Sequence, residues 1–458
     1  MTFVDLIERK RKGEELSPEE IQFFVQGVKE KTIADYQISA MLMAICIRGM
    51  GPEEISVLTR EMAHSGETLS FPTIPKPIVD KHSSGGVGDK TSLVIGPIVA
   101  ALGLPIAKLS GRGLGFTGGT VDKLESIPGF RTELTEEEFA RAVEKDGIAI
   151  IGQSADIAPV DKKLYALRDV TGTVDSIPLI ASSIMSKKLA DGSDAIVLDV
   201  KYGSGAFMKT THEALDLAKV MVGIGNDNGK KTIALVTNMD QPLGSAVGNN
   251  LEVIEAMEAL HGKGPKDLLD ECKALSMAMV VAGGKAKTLE EAGPLVERVI
   301  SDGSAFEKFR AMVKNQGGDL RPIDDPNLFP KAKEILEGRA KKKGFIEAIN
   351  AEEIGKASLL LGAGRKQMTD VIDPAVGLKI LKKIGDPVEK GDLLFTVHAN
   401  DKALGDQAIE MALAAYQIGD KPVPSSHSPV YAYVFADRVE ILSEEKESED
   451  RKSGKESL

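Results

Sequence analysis

Two glycine-rich segments contain most of the residues whose types and spacing could do chemistry: KHSSGGVGDKTS at residues 81–92 and SGRGLGFTGGTVDKLE at residues 110–125. Backbone N–H groups and hydroxyls can converge on one oxyanion only where bulky side chains do not obstruct them, and glycine leaves that space. Each segment follows an apolar stretch typical of a strand, and the N-terminal end of a following helix would attract an anion. Together the segments predict one phosphate site.

Both segments carry side chains that can hold a phosphate group. Lys81 supplies a full positive charge, and Ser83 and Ser92 can donate hydroxyl hydrogen bonds to phosphate oxygens. Ser110 and Thr120 offer the same chemistry from the second segment. We therefore expect these side chains to orient phosphate.

Other sites and a purely structural role are compatible with glycine-rich segments. Gly113, Gly115 and Gly118 match the dinucleotide pattern G-x-G-x-x-G, with Glu133 or Glu136 as a candidate ribose ligand. The second anion-type loop upstream favours phosphate over a nicotinamide cofactor. The sequence contains no G-x-x-x-x-G-K-[ST], which excludes a Walker loop. Tight turns in an α/β protein are the structural alternative.

Composition narrows the classes of protein to which the chain can belong. The chain has 458 residues, 42% of them hydrophobic, and a net charge of −12, so nucleic acid is not an expected partner. Its two cysteines form no C-x-x-C pair, which predicts a reducing compartment, the cytoplasm, and no disulfide. The longest apolar run, residues 93–107, is interrupted by glycine and proline, so we expect no membrane span.

The texture of the sequence changes along the chain from helical to mixed and back. Residues 1 to about 65 indicate helices only, with a capping box at Ser17-Pro18-Glu19-Glu20. Alternating strand and helix patterns then predict βα units and a mostly parallel sheet. Helical texture returns before the strand that begins near Asp194, which suggests that the chain leaves the sheet, rejoins the helices and comes back.

Both glycine-rich segments resemble the signatures of one enzyme family. Ser110-Gly111-Arg112-Gly113-Leu114-x-x-Thr117-Gly118-Gly119-Thr120-x-Asp122-x-Leu124-Glu125 and Asp80-Lys81-His82-Ser83-x-Gly85-Gly86-Val87-Gly88-Asp89 are similar to the motifs of the thymidine and pyrimidine-nucleoside phosphorylases, most of all the bacterial pyrimidine-nucleoside members. The similarity extends to about Tyr433. It implies reversible phosphorolysis of uridine, thymidine and deoxyuridine to a free base and (deoxy)ribose 1-phosphate, with inorganic phosphate as co-substrate and no organic cofactor.

The resemblance also implies a fold. We expect a small all-α lobe facing a large α/β lobe with a mostly parallel, mixed central sheet, plus a C-terminal α+β subdomain. The predicted boundaries are 1–66 (all-α lobe), 67–158 (α/β lobe, phosphate site), 159–192 (all-α lobe, base site), 193–330 (α/β lobe), 331–442 (C-terminal subdomain) and 443–458 (disordered tail).

Family site residues carry over onto named positions of this chain. On the helices predicted after residue 159, Tyr165 and Arg168 share one face, as do Ser183 and Lys187, although solvated helix surfaces often show such spacing. The resemblance implies that these four bind the base, that His82, Arg168 and Lys187 are catalytic, and that phosphate is bound by Lys81, Ser83, Ser92, Lys108, Ser110 and Thr120.

Substrate range and partners are further expectations. Thymidine-restricted members usually have Met where this chain has Lys108, so the resemblance favours a uridine-plus-thymidine enzyme. The alternatives are a thymidine-restricted phosphorylase, a more remote anthranilate-type phosphoribosyltransferase, and a non-catalytic nucleoside-binding protein. The resemblance also implies a homodimer through the all-α lobe, for which the apolar positions Ile38, Met41, Leu42 and Ile45 are candidates.

A potassium ion is the last expectation that the resemblance suggests. Bacterial bispecific members bind potassium through residues matching Gly88, Leu243, Ala246 and Glu255, and oxygen ligands of this kind suit a hard cation. Lys90 departs from that pattern, in which Thr stands, and an ammonium would repel a bound cation. The alternative is a structural Gly-Asn-rich loop beside a helix that carries glutamates.

Overall fold

The computed structural model describes residues 2–442, apart from 114, 117, 154–155, 368 and 424–427. The predicted disordered tail, residues 443–458, and Thr117 of the second glycine-rich segment lie outside the described residues. Within the described part of the chain, no helix combines the length and the apolar character that a membrane crossing needs.

Four helices open the chain: α1 (Phe3–Lys12), α2 (Pro18–Lys29), α3 (Asp35–Arg48) and α4 (Pro52–Ala63). Helix α2 begins at the predicted capping box, where Ser17 Oγ accepts a hydrogen bond from the Glu20 N–H and the Glu20 carboxylate accepts one from the Ser17 N–H at 2.8 Å.

The apolar residues proposed for a dimer seam are instead core residues of this helical lobe. Four side chains on α3 are buried in its hydrophobic core: Ile38, Met41, Leu42 and Ile45. The exposed apolar face of the same helix carries Tyr36, Met43 and Ile47. Periodicity could not separate the two faces, because α3 is apolar on both.

The next elements contain both glycine-rich segments: β1 (Val79–Ser83), α5 (Thr91–Ala101), β2 (Ile106–Ser110), α6 (Thr120–Glu125), α7 (Glu136–Asp146) and β3 (Ile148–Gly152). Two helices follow, α8 (Pro159–Thr171) and α9 (Ile177–Ala190). Val160, Leu164 and Leu179 of these helices lie in the same hydrophobic core as α1–α4. The chain thus returns to the helical lobe after β3.

The main sheet continues with β4 (Ala195–Tyr202) and β5 (Lys231–Asn238), and helix α10 (Thr211–Asp227) connects these two strands. Strands β1, β4 and β5 are parallel neighbours, and β2 pairs with β3 in parallel. Lys81 and His82, at the start of the first glycine-rich segment, belong to β1, where they pair with Val197 and Leu198. Strand β4 contains a β-branched run, is fully buried and is the strand with which β1 pairs.

After the short strand β6 (Ala246–Val247), a layer of helices covers the sheet. It consists of α11 (Asn249–Leu260), α12 (Lys266–Ala282), α13 (Leu289–Ser301), α14 (Ser304–Asn315) and α15 (Arg321–Asp324), and a 3-10 helix at Pro326–Leu328 follows. Helices α11, α12 and α14 pack against α5, which is buried along almost its whole length. This packing fixes α5 in place. It therefore also fixes Thr91 and Ser92, which end the first glycine-rich segment and begin the helix.

The last elements form the smaller α+β part: β7 (Glu334–Arg339), β8 (Gly344–Ile349), α16 (Ala351–Leu360), β9 (Gly377–Ile380), β10 (Pro387–Val388), β11 (Leu393–Ala399), α17 (Lys402–Ala414) and β12 (Tyr416–Gly419). Two final strands, β13 (Val430–Val434) and β14 (Val439–Ile441), return to the main sheet, where β13 pairs antiparallel with β5. The central sheet is therefore mixed, with order β1-β4-β5-β13-β14.

Candidate active site

A cavity of about 250 Å³ lies at the carboxyl ends of strands β1, β2 and β3. Both glycine-rich segments line it, together with residues from α9. Parallel strands commonly present ligand sites at this edge, because the loops that leave them converge there. The structure thus brings together the two glycine-rich segments that were predicted to form one phosphate site.

Four of the hydroxyl side chains predicted to bind phosphate line this cavity: Ser83, Ser92, Ser110 and Thr120. Ser83 Oγ donates to Asp89 Oδ2 at 2.5 Å and accepts a hydrogen bond from the Gly85 N–H at 3.1 Å. Gly85 has φ of +93°, a left-handed conformation that glycine adopts without strain. The turn after β1 is thereby fixed around its own backbone donors.

Lys81 does not reach the cavity and differs in this from the expectation. Its side chain is buried, and its Nζ lies 2.9 Å from Asp199 Oδ2 and donates to Thr91 Oγ1 at 2.6 Å. Because successive residues of a strand point to opposite faces, Lys81 projects away from the side on which Asp80 and His82 lie. Its ammonium therefore lies behind the cavity, where it contacts Asp199 and Thr91.

A buried charge cluster surrounds that ammonium. Lys201 forms ion pairs with Asp199 and Glu271, and Asp89 lies 3.9 Å from Lys81 Nζ. Burial opposes ionisation of Asp89, but the ammonium groups of Lys81 and Lys201 outweigh it and hold its pKa well below the usual range. Asp89 therefore brings a negative charge to the cavity wall.

A second charge cluster forms the cavity floor around Asp80, which is fully buried. Lys188 Nζ donates to Asp80 Oδ2 at 2.5 Å and to Asp191 Oδ2 at 2.9 Å. Lys108 Nζ donates to Asp80 Oδ1 at 3.3 Å and to the Lys81 carbonyl. Burial and the charge of Lys188 lower the pKa of Lys108 to about 8, although Asp80 opposes the shift. Lys108 and Lys188 both line the cavity.

His82 also lines the cavity, together with the hydroxyl groups and the lysines. Burial, together with the charges of Lys188 and Lys108, places the pKa of His82 well below its ordinary value. The imidazole is therefore neutral at physiological pH and can act as a hydrogen-bond donor.

One of the four predicted base-binding residues, Lys187, lines the cavity. Its Nζ donates to Ser183 Oγ at 3.2 Å and to the carboxylate of Asp161 on α8. The predicted Ser183–Lys187 pair therefore shares one face of α9 and contacts α8. The helical lobe thus contributes a lysine side chain to the lining of the cavity.

The other predicted pair, Tyr165 and Arg168, is close together but does not line the cavity. The Arg168 guanidinium lies 5.8 Å from the centre of the Tyr165 ring. It donates to two backbone carbonyls between α8 and α9, those of Thr173 at 3.0 Å and Val174 at 2.7 Å, and to the carbonyl of Leu179 in the first turn of α9 at 3.0 Å. In this structure Arg168 orders the connection between the two helices.

The second glycine-rich segment is braced by ion pairs. Asp122 Oδ2 accepts a hydrogen bond from the Gly113 N–H at 2.6 Å, and Arg365 Nη1 donates to Asp122 Oδ1 at 2.7 Å. The dinucleotide alternative has no support here, because the segment leads into a helix of six residues and Glu133 is almost fully exposed. Arg365 instead ties the segment to the C-terminal part.

Three of the four residues predicted to hold potassium surround the side-chain nitrogen of Lys90. Lys90 Nζ donates to the carbonyls of Leu243 at 2.8 Å and Ala246 at 3.0 Å, and to Glu255 Oε2 at 2.6 Å. An ammonium in this position leaves no space for a cation between the same oxygens. The predicted ligand set therefore does not fit a potassium ion in this chain.

Lys188, Asp80 and Asp89 are site residues that the sequence analysis did not propose. A signal for Asp80 was present, since a carboxylate inside an apolar strand has to be paired. Lys188 adjoins Lys187 on α9, and helical spacing alone could not decide which of the two reaches the cavity. Both do.

Comparisons with known proteins identify the domains of the chain. Residues 75–306 match the glycosyl transferase family a/b domain, residues 4–66 match the helical bundle domain of that family, and residues 345–419 match the pyrimidine nucleoside phosphorylase C-terminal domain. Among solved structures, anthranilate phosphoribosyltransferase from Thermus thermophilus has a similar fold, with a TM-score of 0.56 and 20% identity over 68% of this chain and 98% of that chain.

Two curated relatives are much closer in sequence. The pyrimidine-nucleoside phosphorylase of Bacillus subtilis (strain 168) is 56% identical over 400 residues, which are 87% of this chain and 92% of the relative. That of Geobacillus stearothermophilus is 54% identical over 406 residues, 89% of this chain and 94% of the relative. Through its sequence, its domains and its fold, this chain belongs to the pyrimidine-nucleoside phosphorylase family.

Proposed function

We propose that the protein catalyses the reversible phosphorolysis of uridine, thymidine and 2′-deoxyuridine to free base and (deoxy)ribose 1-phosphate. One observation supports the proposal: hydroxyl groups of both glycine-rich segments line a single cavity together with Lys187 of the helical lobe. An anion held on one side can then meet a departing base on the other.

Phosphate is the nucleophile in this reaction. Ser83, Ser92, Ser110 and Thr120, with the backbone amides around them, orient it in the cavity. One phosphate oxygen attacks C1′, the C1′–O bond forms as the C1′–N bond breaks, and the bonding electron pair leaves with the base. Orientation of this kind can supply roughly 7–11 kcal/mol of the barrier.

The departing base carries negative charge, and cationic and hydrogen-bonding groups of the site stabilise it. Lys187 offers an ammonium, and neutral His82 donates a hydrogen bond to a carbonyl oxygen of the base. A neutral imidazole suits this donor role in a site that already holds several lysines.

Tyr165, Arg168 and Ser183 complete the base site when the helical lobe closes on the substrate. They lie on α8 and α9, which the chain enters and leaves through short connections to the α/β lobe. Arg168 donates hydrogen bonds to the backbone that connects these helices. Arg168 and this connection therefore approach the base together. Closure would also exclude water from the reacting atoms.

Lys108 accounts for acceptance of ribose as well as deoxyribose. It lines the cavity beside Ser110 and is held by Asp80. An ammonium there can donate to a ribose 2′-hydroxyl or to phosphate, and this supports the bispecific reaction over a thymidine-restricted one.

The proposed assembly is a homodimer formed by the all-α lobe. The exposed apolar face of α3, with Tyr36, Met43 and Ile47, supports this better than the buried residues considered from the sequence. We also place the enzyme in the cytoplasm, which is supported by Cys46 and Cys272, both free thiols.

An absorbance assay of base release tests this function. Uridine, thymidine and 2′-deoxyuridine are each incubated with the protein, with and without inorganic phosphate. We expect all three to be cleaved only when phosphate is present. Cleavage of thymidine and deoxyuridine alone would indicate the restricted enzyme, and saturable binding without cleavage would indicate a binding protein.

A further inference from the structure

Lys90 holds a buried ammonium at the end of the first glycine-rich segment, directly before α5. The side chain is 1% exposed, and its three acceptors are two backbone carbonyls, of Leu243 and Ala246, and the Glu255 carboxylate. An ammonium has three N–H donors, so these oxygens satisfy all of its hydrogen-bonding capacity. Burial opposes the charge, but the Glu255 and Glu252 carboxylates outweigh it and raise the pKa of Lys90.

The backbone around Lys90 Nζ is shaped for this contact. Gly88 has φ of +74°, and a Cβ there would lie 2.6 Å from the Leu243 carbonyl oxygen. Gly244 has φ of +70°, and a Cβ there would lie 2.9 Å from Lys90 Nζ. The Glu255 carboxylate is itself held by the Ser245 and Ala246 N–H groups. Two glycines thus let segments 88–90 and 243–246 close on one positive charge.

The distances show what kind of cation these oxygens accommodate. The carbonyl oxygens lie 2.8 and 3.0 Å from the nitrogen, and the Glu255 oxygen lies 2.6 Å from it. The two carbonyl distances are longer than the about 2.3–2.6 Å of Ca²⁺ or the about 2.0–2.1 Å of Mg²⁺. The cage therefore suits a large monovalent cation, and the Lys90 ammonium already fills it. A second cation at the same oxygens would be repelled at contact distance.

We infer that Lys90 is a built-in monovalent cation, which ties the first glycine-rich segment to residues 243–246 and makes the enzyme independent of added potassium. The inference rests on the proposed phosphorolysis for its activity readout. Lys90 is a positioning residue: it acts through Asp89, which lines the cavity and whose carboxylate accepts from Ser83 and Thr91.

The position of the segment is fixed from its other side as well. Lys123 Nζ donates to the Asp89 carbonyl at 2.5 Å and lies 2.9 Å from Glu252 Oε2. With Lys90 removed, the segment would keep this contact but lose its link to residues 243–246, and Glu255 would be a buried carboxylate without its cation. A cage of this kind is expected to take up a monovalent cation from solution.

Two variants test the inference. Lys90→Thr empties the cage and leaves space for an ion, whereas Lys90→Met fills the space with an uncharged chain whose methyl group excludes one. Uridine phosphorolysis is measured for both and for the unaltered enzyme, in potassium chloride and in tetramethylammonium chloride of equal ionic strength. Thermal unfolding is recorded in the same two salts.

We expect the unaltered enzyme to have the same kcat/KM for phosphate in both salts. In tetramethylammonium, Lys90→Thr should lose about 10- to 100-fold, the range for residues that orient a site from behind. Potassium should restore most of this loss and raise the unfolding temperature of Lys90→Thr by a few degrees, because an ion that binds only the folded state stabilises it. Lys90→Met should lose activity in both salts without recovery.

Activation of the unaltered enzyme by potassium would overturn the inference, and this measurement does not depend on either variant folding. Full activity of Lys90→Thr in tetramethylammonium would also overturn it, as would potassium rescue of Lys90→Met. If the unaltered enzyme cleaves no nucleoside in either salt, the proposed function fails. The unfolding temperatures of Lys90→Thr then decide the cation question by themselves, since a potassium shift supports the inference and its absence contradicts it.

Discussion

Lys81 Nζ lies 2.9 Å from Asp199 Oδ2 beneath the cavity, and its hydrogen bond to Thr91 Oγ1 at 2.6 Å joins it to the first turn of α5. The first lysine of the first glycine-rich segment therefore supports the phosphate site through its neighbours. Its partner Asp199 also neutralises Lys201, so one carboxylate serves two buried ammonium groups.

Asp199→Asn is expected to destabilise the folded protein strongly. Removing one partner of a buried ion pair costs about 3–5 kcal/mol, because the other charge stays buried without compensation. Urea-induced unfolding measures the change in the free energy of unfolding. Asp324→Asn, which removes the exposed ion pair with Arg310, is the matched control and should unfold almost as the unaltered protein does. Equal stability of the two variants would contradict the proposed role of Asp199.

His82 is expected to work as a neutral hydrogen-bond donor. Because its pKa is lowered in the folded protein, the unfolded chain binds the extra proton first, and His82 destabilises the fold only as pH falls below about 6.5. The pH profile of kcat/KM should therefore show no ionisation of His82 between about pH 6.5 and 7.5.

Substitutions separate a donor from a proton-transferring His82. His82→Leu should lower kcat about 10²- to 10³-fold, the usual effect of losing a donor to developing negative charge. His82→Gln keeps a donor that does not titrate and should retain more activity. If the two variants are equally slow and the unaltered enzyme shows an ionisation near pH 6.5, proton transfer from an imidazolium is the better description.

Lys108 should set the preference between uridine and thymidine in a pH-dependent way. Its pKa is lowered to about 8, so its ammonium is present below that pH and lost above it. The ratio of kcat/KM for uridine to that for thymidine should fall as pH rises through about 8.

Lys108→Met should abolish that pH dependence and slow uridine cleavage more than thymidine cleavage. A hydrogen bond from a charged donor contributes about 1.5–3 kcal/mol, or roughly 10- to 100-fold on the uridine reaction. Steady-state kinetics with both nucleosides, from about pH 6.5 to 9.5, measure the effect around the Lys108 pKa. Equal losses on both substrates would remove Lys108 from the account of specificity.

The exposed face of α3 should form the dimer contact. Ile47 is 69% exposed, and Ile47→Lys would place a charge in the middle of an apolar interface. Sedimentation velocity should show a dimer for the unaltered protein and a monomer for Ile47→Lys. Val371→Lys changes a residue that is 92% exposed elsewhere and should stay dimeric. A dimeric Ile47→Lys would exclude this face as the interface.

Sequence patterns predicted the elements well where local signals are strong. The capping box at Ser17 and the β-branched run of β4 appear where they were expected, and the two glycine-rich segments meet in one cavity. Four hydroxyl-bearing residues of those segments line that cavity, because a turn with little side-chain bulk exposes its own polar groups.

The orientation of long charged side chains could not be predicted. Lys81 and Arg168 were expected to face the ligand, but the structure pairs them with Asp199 and with backbone carbonyls. A lysine or arginine can extend in several directions, and the partner that decides between them lies far away in sequence. The same holds for Lys90, which stood out only as a departure from a pattern until its distances to Leu243 and Glu255 were known.

The central claim is that an oxygen of inorganic phosphate attacks C1′ of a pyrimidine nucleoside. Incubation of uridine with fully ¹⁸O-labelled phosphate, followed by mass spectrometry of the sugar product, tests it most directly. We predict ribose 1-phosphate in which every phosphate oxygen, including the one bonded to C1′, carries the label. Free ribose with an unlabelled C1′ oxygen would mean that water is the nucleophile and would contradict the account.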